Sequence, residues 1–108
     1  MTDIFKAIAD PSRRQILSLL LVTNALSMQE IYTRFDASRQ AVTKHIKVLS
    51  EAGLIQIKNE RKGRMCYLHA AKLKEVSDWV KIYEHFWDEK LEALGKFLDK
   101  TYPTDQIG

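Results

Sequence analysis

The sequence predicts a mainly helical protein that carries one small two-stranded β-hairpin and ends in a long helix. Three observations lead to this fold class. Apolar residues recur at helical spacing through the first half of the chain, two short strand-like runs follow over 54–69, and a near-heptad repeat occupies 71–102. The chain has 108 residues, of which 45% are hydrophobic and 29% are charged, and these values suit one globular domain over 1–108.

The first two helices are separated by a helix-start signal. Asp10 is a natural N-cap, and Pro11 fits the first turn of a second helix that we expect to run to about Asn24. The helix over 3–9 has three apolar residues on one side, namely Ile4, Phe5 and Ile8. The second helix has four residues spaced for burial, namely Ile16, Leu17, Leu20 and Leu21.

Capping residues predict the next two helices. Ser27 and Glu30 form a capping box, which indicates a short helix over 28–35. After a three-residue turn, Ser38 caps a longer helix that continues to Ala52, and Gly53 ends it. The residues expected on the buried side of this longer helix are Ala41, Val42, Ile46 and Leu49.

A basic hairpin is predicted directly after these helices. Residues 54–58 and 65–69 are short strand-like runs, and the segment between them contains Gly63 and several cations. Two helices joined by a short turn and followed by such a hairpin have the plan of a winged helix-turn-helix. The helix-turn-helix would span 28–52, and the wing would span 54–69.

Positive charge is concentrated in the part of the chain that contains these elements. Residues 1–70 hold 11 Lys and Arg against 6 Asp and Glu, whereas residues 71–108 hold 6 against 8. The outer face of the helix over 38–52 combines Arg, Gln, Thr and Lys, whose side chains suit base edges in a major groove or phosphates. We therefore expect double-stranded DNA as a partner. The predicted DNA-binding residues are Ser38, Arg39, Gln40, Thr43, Lys44, Lys47, Arg61, Lys62 and Arg64.

The residues alone leave two other interpretations of this basic face open. It can be the ordinary solvated side of an amphipathic helix. It can also belong to a winged-helix protein–protein interaction module that binds an acidic protein without sequence-specific DNA recognition. The uniform cation and amide composition, together with the basic wing, favours a nucleic acid.

Three segments of the chain resemble the ArsR-type winged-helix repressors of bacteria and archaea. They are ADPSRRQILSLL (9–20), SRQAVTKHIKVLSEAGLI (38–55) and RKGRMCYL (61–68), and the similarity extends over about residues 3–100. The resemblance implies a homodimer that binds operator DNA and represses transcription. It also implies that the helix over 38–52 is the recognition helix and that helices 3–9 and 71–102 form the dimer interface. We expect the operator to be an inverted repeat.

The last helix carries more apolar surface than one small core can cover. An exposed strip rich in aromatic residues is typical of an interface. A ligand pocket between the helices of the dimer is the competing use of these aromatics. The predicted interface residues are Ile4, Phe5, Ile8, Trp79, Tyr83, Phe86, Trp87, Leu91 and Leu94.

The sequence offers no metal-ligand set and no cofactor motif. The helix over 28–35 lacks the Cys-x-Cys pair of metal-sensing ArsR-type proteins. On the last helix, His85 and Glu89 lie one turn apart, but the family's ligand spacing is absent. Cys66 is the single cysteine, so no internal disulfide can form. We expect it to be a buried residue, with redox sensing as the alternative.

The same inspection predicts a cytoplasmic protein that is not an enzyme. The serines are explained as caps or helix residues, and no Ser–His–Asp arrangement or glycine-rich phosphate loop is present. No apolar run approaches the length of a membrane span, and the first ten residues lack the order of a secretory signal. The residues do not identify a small-molecule or protein effector.

Overall fold

The computed structural model describes residues 3–101, and its elements follow the predicted order. The mainly helical fold class is confirmed. The helices and strands are α1 (Ile4–Ile8), α2 (Pro11–Thr23), β1 (Ala25–Ser27), α3 (Met28–Arg34), α4 (Arg39–Glu51), β2 (Ile55–Glu60), β3 (Gly63–Leu68), a 3₁₀ turn (Ala70–Leu73) and α5 (Lys74–Thr101).

The chain folds as two compact units that meet in sequence within α5. The first unit extends to Val76 and the second begins at Ser77. The predicted single domain over 1–108 includes residues 1–2 and 102–108, which lie outside the described residues, as does Tyr102 at the predicted end of the last helix. That domain assignment stays a prediction.

Side chains at the start of α2 form hydrogen bonds with backbone groups at the junction between α1 and α2. Asp10 Oδ1 accepts hydrogen bonds from the N–H groups of Ser12 at 2.8 Å and Arg13 at 3.2 Å, which caps α2. Arg13 Nε donates to the carbonyl of Ala7 at 2.6 Å. Arg14 Nη1 donates to the carbonyl of Ile8 at 2.8 Å. The last carbonyl groups of any α-helix have no hydrogen-bond partner within the helix. In α1, the two guanidinium groups supply these missing donors.

The hairpin carries a third strand that the sequence analysis did not include. β1 pairs antiparallel with β3, and the sheet has the order β1-β3-β2. Leu26 on β1 and Ile57 on β2 lie opposite the same residue of β3, Cys66. The three residues of β1 are too few to show an alternating pattern in the sequence. β1 directly follows the C-cap of α2, and its last residue, Ser27, is also the N-cap of α3.

The two strands of the wing are longer, and its turn is tighter, than predicted. The ladder continues to the pair Glu60 and Gly63, so the loop contains only Arg61 and Lys62. Gly63 has φ 110°, a backbone conformation that residues with a Cβ rarely adopt. The glycine therefore permits the chain to return into β3 directly after the two cations.

The first unit has one core, and helices α2, α3 and α4 contribute to it with the sheet. The predicted buried residues of α4 lie in this core, except that Ala41 is only half-buried. The largest fully buried side chains are Ile16, Leu20, Ile31, Ile46, Leu49, Leu54, Val42 and Cys66.

Two predicted positions need correction. Ile4 is only 5% exposed and packs in the core of its own chain, so it has almost no surface to offer a partner. Leu21 is 68% exposed rather than buried. It lies at the edge of the buried stripe of α2, where it lines a shallow apolar recess with Leu68 and Leu73.

The second unit consists of the α5 residues from Ser77 onwards, among which no side chain is buried. Its exposed apolar residues include Trp87, at 60%, and Leu91, at 61%. Over residues 3–101, none of the helices combines the length and the apolar character that a membrane-spanning segment requires.

Leu49→Ala tests the contribution of the α4 stripe to the core. Leu49 is fully buried, so its truncation removes apolar contacts and leaves a cavity. We expect the free energy of unfolding to fall by about 2–5 kcal/mol, measured by urea denaturation. Lys47→Ala on the exposed side of the same helix should change it by less than about 0.5 kcal/mol. Equal stabilities of the two variants would contradict the assignment of the buried face.

Candidate nucleic-acid interface

α4 separates an apolar side from a polar side. Val42, Ile46 and Leu49 are buried, and they fix which side of the helix faces outward. The remaining surface carries cations, an amide and hydroxyl groups with no acid before Glu51. The predicted residues of this helix and its cap are all exposed, namely Ser38, Arg39, Gln40, Thr43, Lys44 and Lys47.

The start of α4 is fixed by Ser38. Its Oγ accepts a hydrogen bond from the N–H of Ala41 at 3.1 Å, and its backbone is extended, as in an N-cap. Arg39 and Gln40 are therefore the first two residues of the helix. The first turn of a helix carries a partial positive charge, so the capped end suits an anionic backbone such as that of DNA.

Tyr32 on α3 contacts two of the predicted DNA-binding residues, and the sequence analysis did not assign it to the site. Its Oη shares a hydrogen bond of 2.6 Å with Thr43 Oγ1. The guanidinium carbon of Arg39 lies 5.2 Å from the centre of its ring. The sequence shows Tyr32 only as an apolar position of a short helix, because contacts between two helices depend on their packing.

The wing brings one of its cations beside α4 and holds two at its tip. Arg61 and Lys62 form the exposed turn, whereas Arg64 lies on β3. Arg64, Thr43 and Lys47 line a groove of about 380 Å³ together with Met28, Ile46, Ser50, Glu51 and Ile57. The structure thus joins β3 and α4 into one partly basic surface.

A tyrosine links the two strands of the wing. Tyr67 Oη donates to the Glu60 carboxylate, with Oε2 at 2.7 Å, and Lys58 Nζ lies 5.3 Å from the centre of the Tyr67 ring. The hydrogen bond to the carboxylate raises the pKa of Tyr67, with smaller contributions from desolvation and from the charge of Glu60. Tyr67 is therefore a neutral hydrogen-bond donor at physiological pH, and it couples the two strands near the basic tip.

The inner side of α4 is linked to α2 by a polar contact that the sequence analysis also missed. Arg13 Nη1 lies 3.3 Å from His45 Nδ1. Desolvation acts to raise the pKa of the nearby Asp10. Hydrogen bonds from the N–H groups of Arg13 and Ser12 lower this pKa, and the charges of His45 and Arg13 act in the same direction. Together they outweigh desolvation, so the pKa of Asp10 lies below its ordinary 3.8. The guanidinium group of Arg13, which bonds to the end of α1, therefore also contacts α4.

The described residues contain no group of three or more His, Cys, Asp or Glu side chains that could hold a metal ion. His85 Nε2 lies 3.0 Å from Glu89 Oε1, and both side chains are well exposed. Cys66 is fully buried, and its Sγ lies 3.3 Å from Met28 Sδ. Burial raises the pKa of this thiol, against a smaller opposing effect of Arg64, so the reactive thiolate is disfavoured.

α5 presents a second surface of apolar character. Trp79 and Tyr83 pack edge to face with ring centres 5.3 Å apart, and Phe86 and Trp87 do so at 6.4 Å. Trp79, Tyr83 and Trp87 line a recess of about 340 Å³ with Val80. All of the predicted interface residues on this helix are exposed, namely Trp79, Tyr83, Phe86, Trp87, Leu91 and Leu94.

The same elements occur in proteins of known family. A family model described as a helix-turn-helix domain matches residues 8–57. The uncharacterized HTH-type transcriptional regulator YuzN of Bacillus subtilis is 38% identical over 84 residues, which cover 71% of this chain and 91% of that protein. The transcriptional repressor SdpR of the same organism is 33% identical, over 74% of this chain and 88% of its own.

Solved structures agree with these relatives. The crystal structure of an ArsR family transcriptional regulator superposes with a TM-score of 0.69, and the two sequences are 28% identical. The match covers 79% of this chain and 87% of that chain. An ArsR-like transcriptional regulator from Rhodococcus sp. RHA1 gives 26% identity and a TM-score of 0.65, over 87% and 88% of the two chains. The chain therefore belongs to the ArsR-type family of winged helix-turn-helix transcriptional regulators, and it is a DNA-binding regulator rather than an enzyme.

Proposed function

We propose that the protein is a transcriptional repressor that acts as a homodimer on an inverted-repeat operator. The observation that carries the proposal is the exposed cation, amide and hydroxyl face of α4, whose opposite side is anchored in the core. Repression is supported by the names of two relatives, the repressor SdpR and the arsenical resistance operon repressor of Escherichia coli, which is 27% identical over 100 residues.

Dimerisation is supported by the apolar surface of α5. A strip of exposed aromatic and aliphatic side chains on one helix is costly in water, and burial against a second copy would remove that cost. In the first unit, Phe5 is 38% exposed and Ile8 is half-buried, so α1 retains apolar surface beside the buried Ile4. An isologous interface would place two recognition helices about 34 Å apart, which matches successive major grooves on one side of a duplex.

Selection of bound sequences from a random pool of duplex DNA tests the proposal directly. The expected product is a two-fold symmetric sequence whose half-sites are one helical turn apart. A reporter gene placed behind this sequence should be expressed less when the protein is present. Recovery of no preferred sequence would instead favour a winged-helix module that binds an acidic protein.

Arg39 and Gln40 are expected to read base edges. Both are exposed in the first turn of α4, and their side chains can form paired hydrogen bonds with guanine and adenine, respectively. Alanine at either position should cost about 1–3 kcal/mol of operator binding and relax preference at individual base pairs. The measurement is the Kd for the selected site and its single-base variants. An Arg39→Ala variant with unchanged affinity and preference would remove the recognition-helix assignment.

Lys47 and Arg61 are expected to act through phosphates. Alanine at either position should weaken binding to all duplexes alike and reduce the slope of log K against log salt by about one unit. Fluorescence anisotropy over a range of salt concentrations measures this slope. Lys96→Ala is the matched control, because Lys96 lies on α5 and pairs with Glu92 at 3.5 Å. A loss confined to one DNA sequence would contradict the phosphate role.

Leu91 is expected to lie in the dimer interface. Light scattering at micromolar concentration should give twice the chain mass of 12.5 kDa for the unmodified protein and a single chain mass for Leu91→Asp. Burial of a new charge in an apolar interface explains the loss. Lys96→Asp places the same charge on the opposite side of α5 and should remain dimeric. A monomeric unmodified protein would refute the dimer.

A further inference from the structure

We propose that Tyr32, although it lies on α3, sets the base preference of the recognition helix by orienting Thr43 and Arg39. The inference rests on the proposed DNA-binding function and adds a positioning residue to it. Tyr32 contacts both side chains, which lie one turn apart on the exposed face of α4.

The hydroxyl of Tyr32 controls the direction of the Thr43 methyl group. Threonine is branched at Cβ, so a hydrogen bond that fixes Oγ1 also fixes the methyl group on the same carbon. The distance of 2.6 Å between Tyr32 Oη and Thr43 Oγ1 is that of a well-formed O–H···O bond. A threonine methyl is a contact partner for the thymine methyl in a major groove. Tyr32 therefore selects which part of Thr43 is presented to a base.

The ring of Tyr32 constrains Arg39. Arg39 is the first residue of α4, and a free arginine side chain at an exposed helix end samples many rotamers. Its guanidinium carbon lies 5.2 Å from the ring centre, within the range of a cation–π contact. Restricting the guanidinium before DNA arrives lowers the entropy lost when it forms paired hydrogen bonds with a base.

The hydroxyl and the ring can be removed separately. Tyr32→Phe deletes the bond to Thr43 and keeps the ring beneath Arg39, whereas Tyr32→Leu deletes both. Thr43→Ser keeps the hydroxyl that bonds to Tyr32 and deletes the methyl group that this bond orients. Thr33→Ala is the matched control, because Thr33 is the next residue of α3 and its hydroxyl donates to the carbonyl of Glu30 at 2.8 Å.

The experiment uses the full-length chain and the duplex that the unmodified protein selects from a random pool. The Kd is measured for that duplex, for each single-base variant and for a random duplex at one salt concentration, and circular dichroism gives the Tm of each protein. Tyr32→Phe should lower discrimination about three- to tenfold at the base pairs where Thr43→Ser does so, and the double variant should lose no more than Thr43→Ser alone. Tyr32→Leu should also relax the base pairs that depend on Arg39, about two- to fivefold.

Two results would overturn the inference. In the first, Tyr32→Phe discriminates between base pairs as well as Thr33→Ala and the unmodified protein do. This result would show that the hydroxyl of Tyr32 does not position Thr43. An equal loss of affinity for selected and random duplexes, accompanied by a lower Tm, would show a structural role only. If the unmodified protein selects no sequence, the proposed function itself is refuted. This result is distinct from failure of the Tyr32 inference, in which the unmodified protein still selects a sequence. If Tyr32→Leu does not fold, the cycle of Tyr32→Phe and Thr43→Ser still tests whether the hydroxyl of Tyr32 positions Thr43.

Discussion

The burial of one side of α4 is the constraint on which the candidate DNA-binding surface depends. Val42, Ile46 and Leu49 leave water together, and their burial contributes several kcal/mol, in the range of about 1.5–3 kcal/mol for each side chain. Because this apolar stripe can face only inward, the polar residues between its members must face outward. The chemistry of the surface therefore follows from the packing of the core, and no separate interaction is needed to turn the helix toward DNA.

The segment around Asp10 shows how a few side chains serve more than one structural demand. Asp10 caps α2, while Arg13 satisfies carbonyls at the end of α1 and reaches His45 on α4. A lysine in place of Arg13 could not span these partners, because it lacks the planar set of five donors. Asp10, Arg13 and Arg14 thus have a structural role at this junction, and the two arginines also add to the basic charge of the first unit.

The local features of the fold could be predicted from sequence because each has a local cause. Ser27, Ser38 and Gly53 mark helix ends through their own hydrogen bonds or backbone angles, and the buried side of α4 follows from its spacing. The features that were missed arise from contacts between elements. β1 exists because β3 offers it a partner, Ile4 is buried because α2 and α4 pack near α1, and Tyr32 belongs to the site because α3 lies beside α4. The exposed residues of the predicted site could be identified, whereas their positioning partner could not.

The third strand connects the wing to the proposed DNA-binding helices. β1 ends at Ser27, which is also the cap of α3, so the sheet that supports the wing continues directly into the helix-turn-helix. No flexible linker separates the strand from the helix at this point. The wing, α3 and α4 belong to one compact unit, so their packing limits changes in the distance between the wing tip and the outer face of α4. A duplex that is overwound or underwound changes the distance between its own grooves, and we expect the DNA to supply most of the adjustment when the protein binds it.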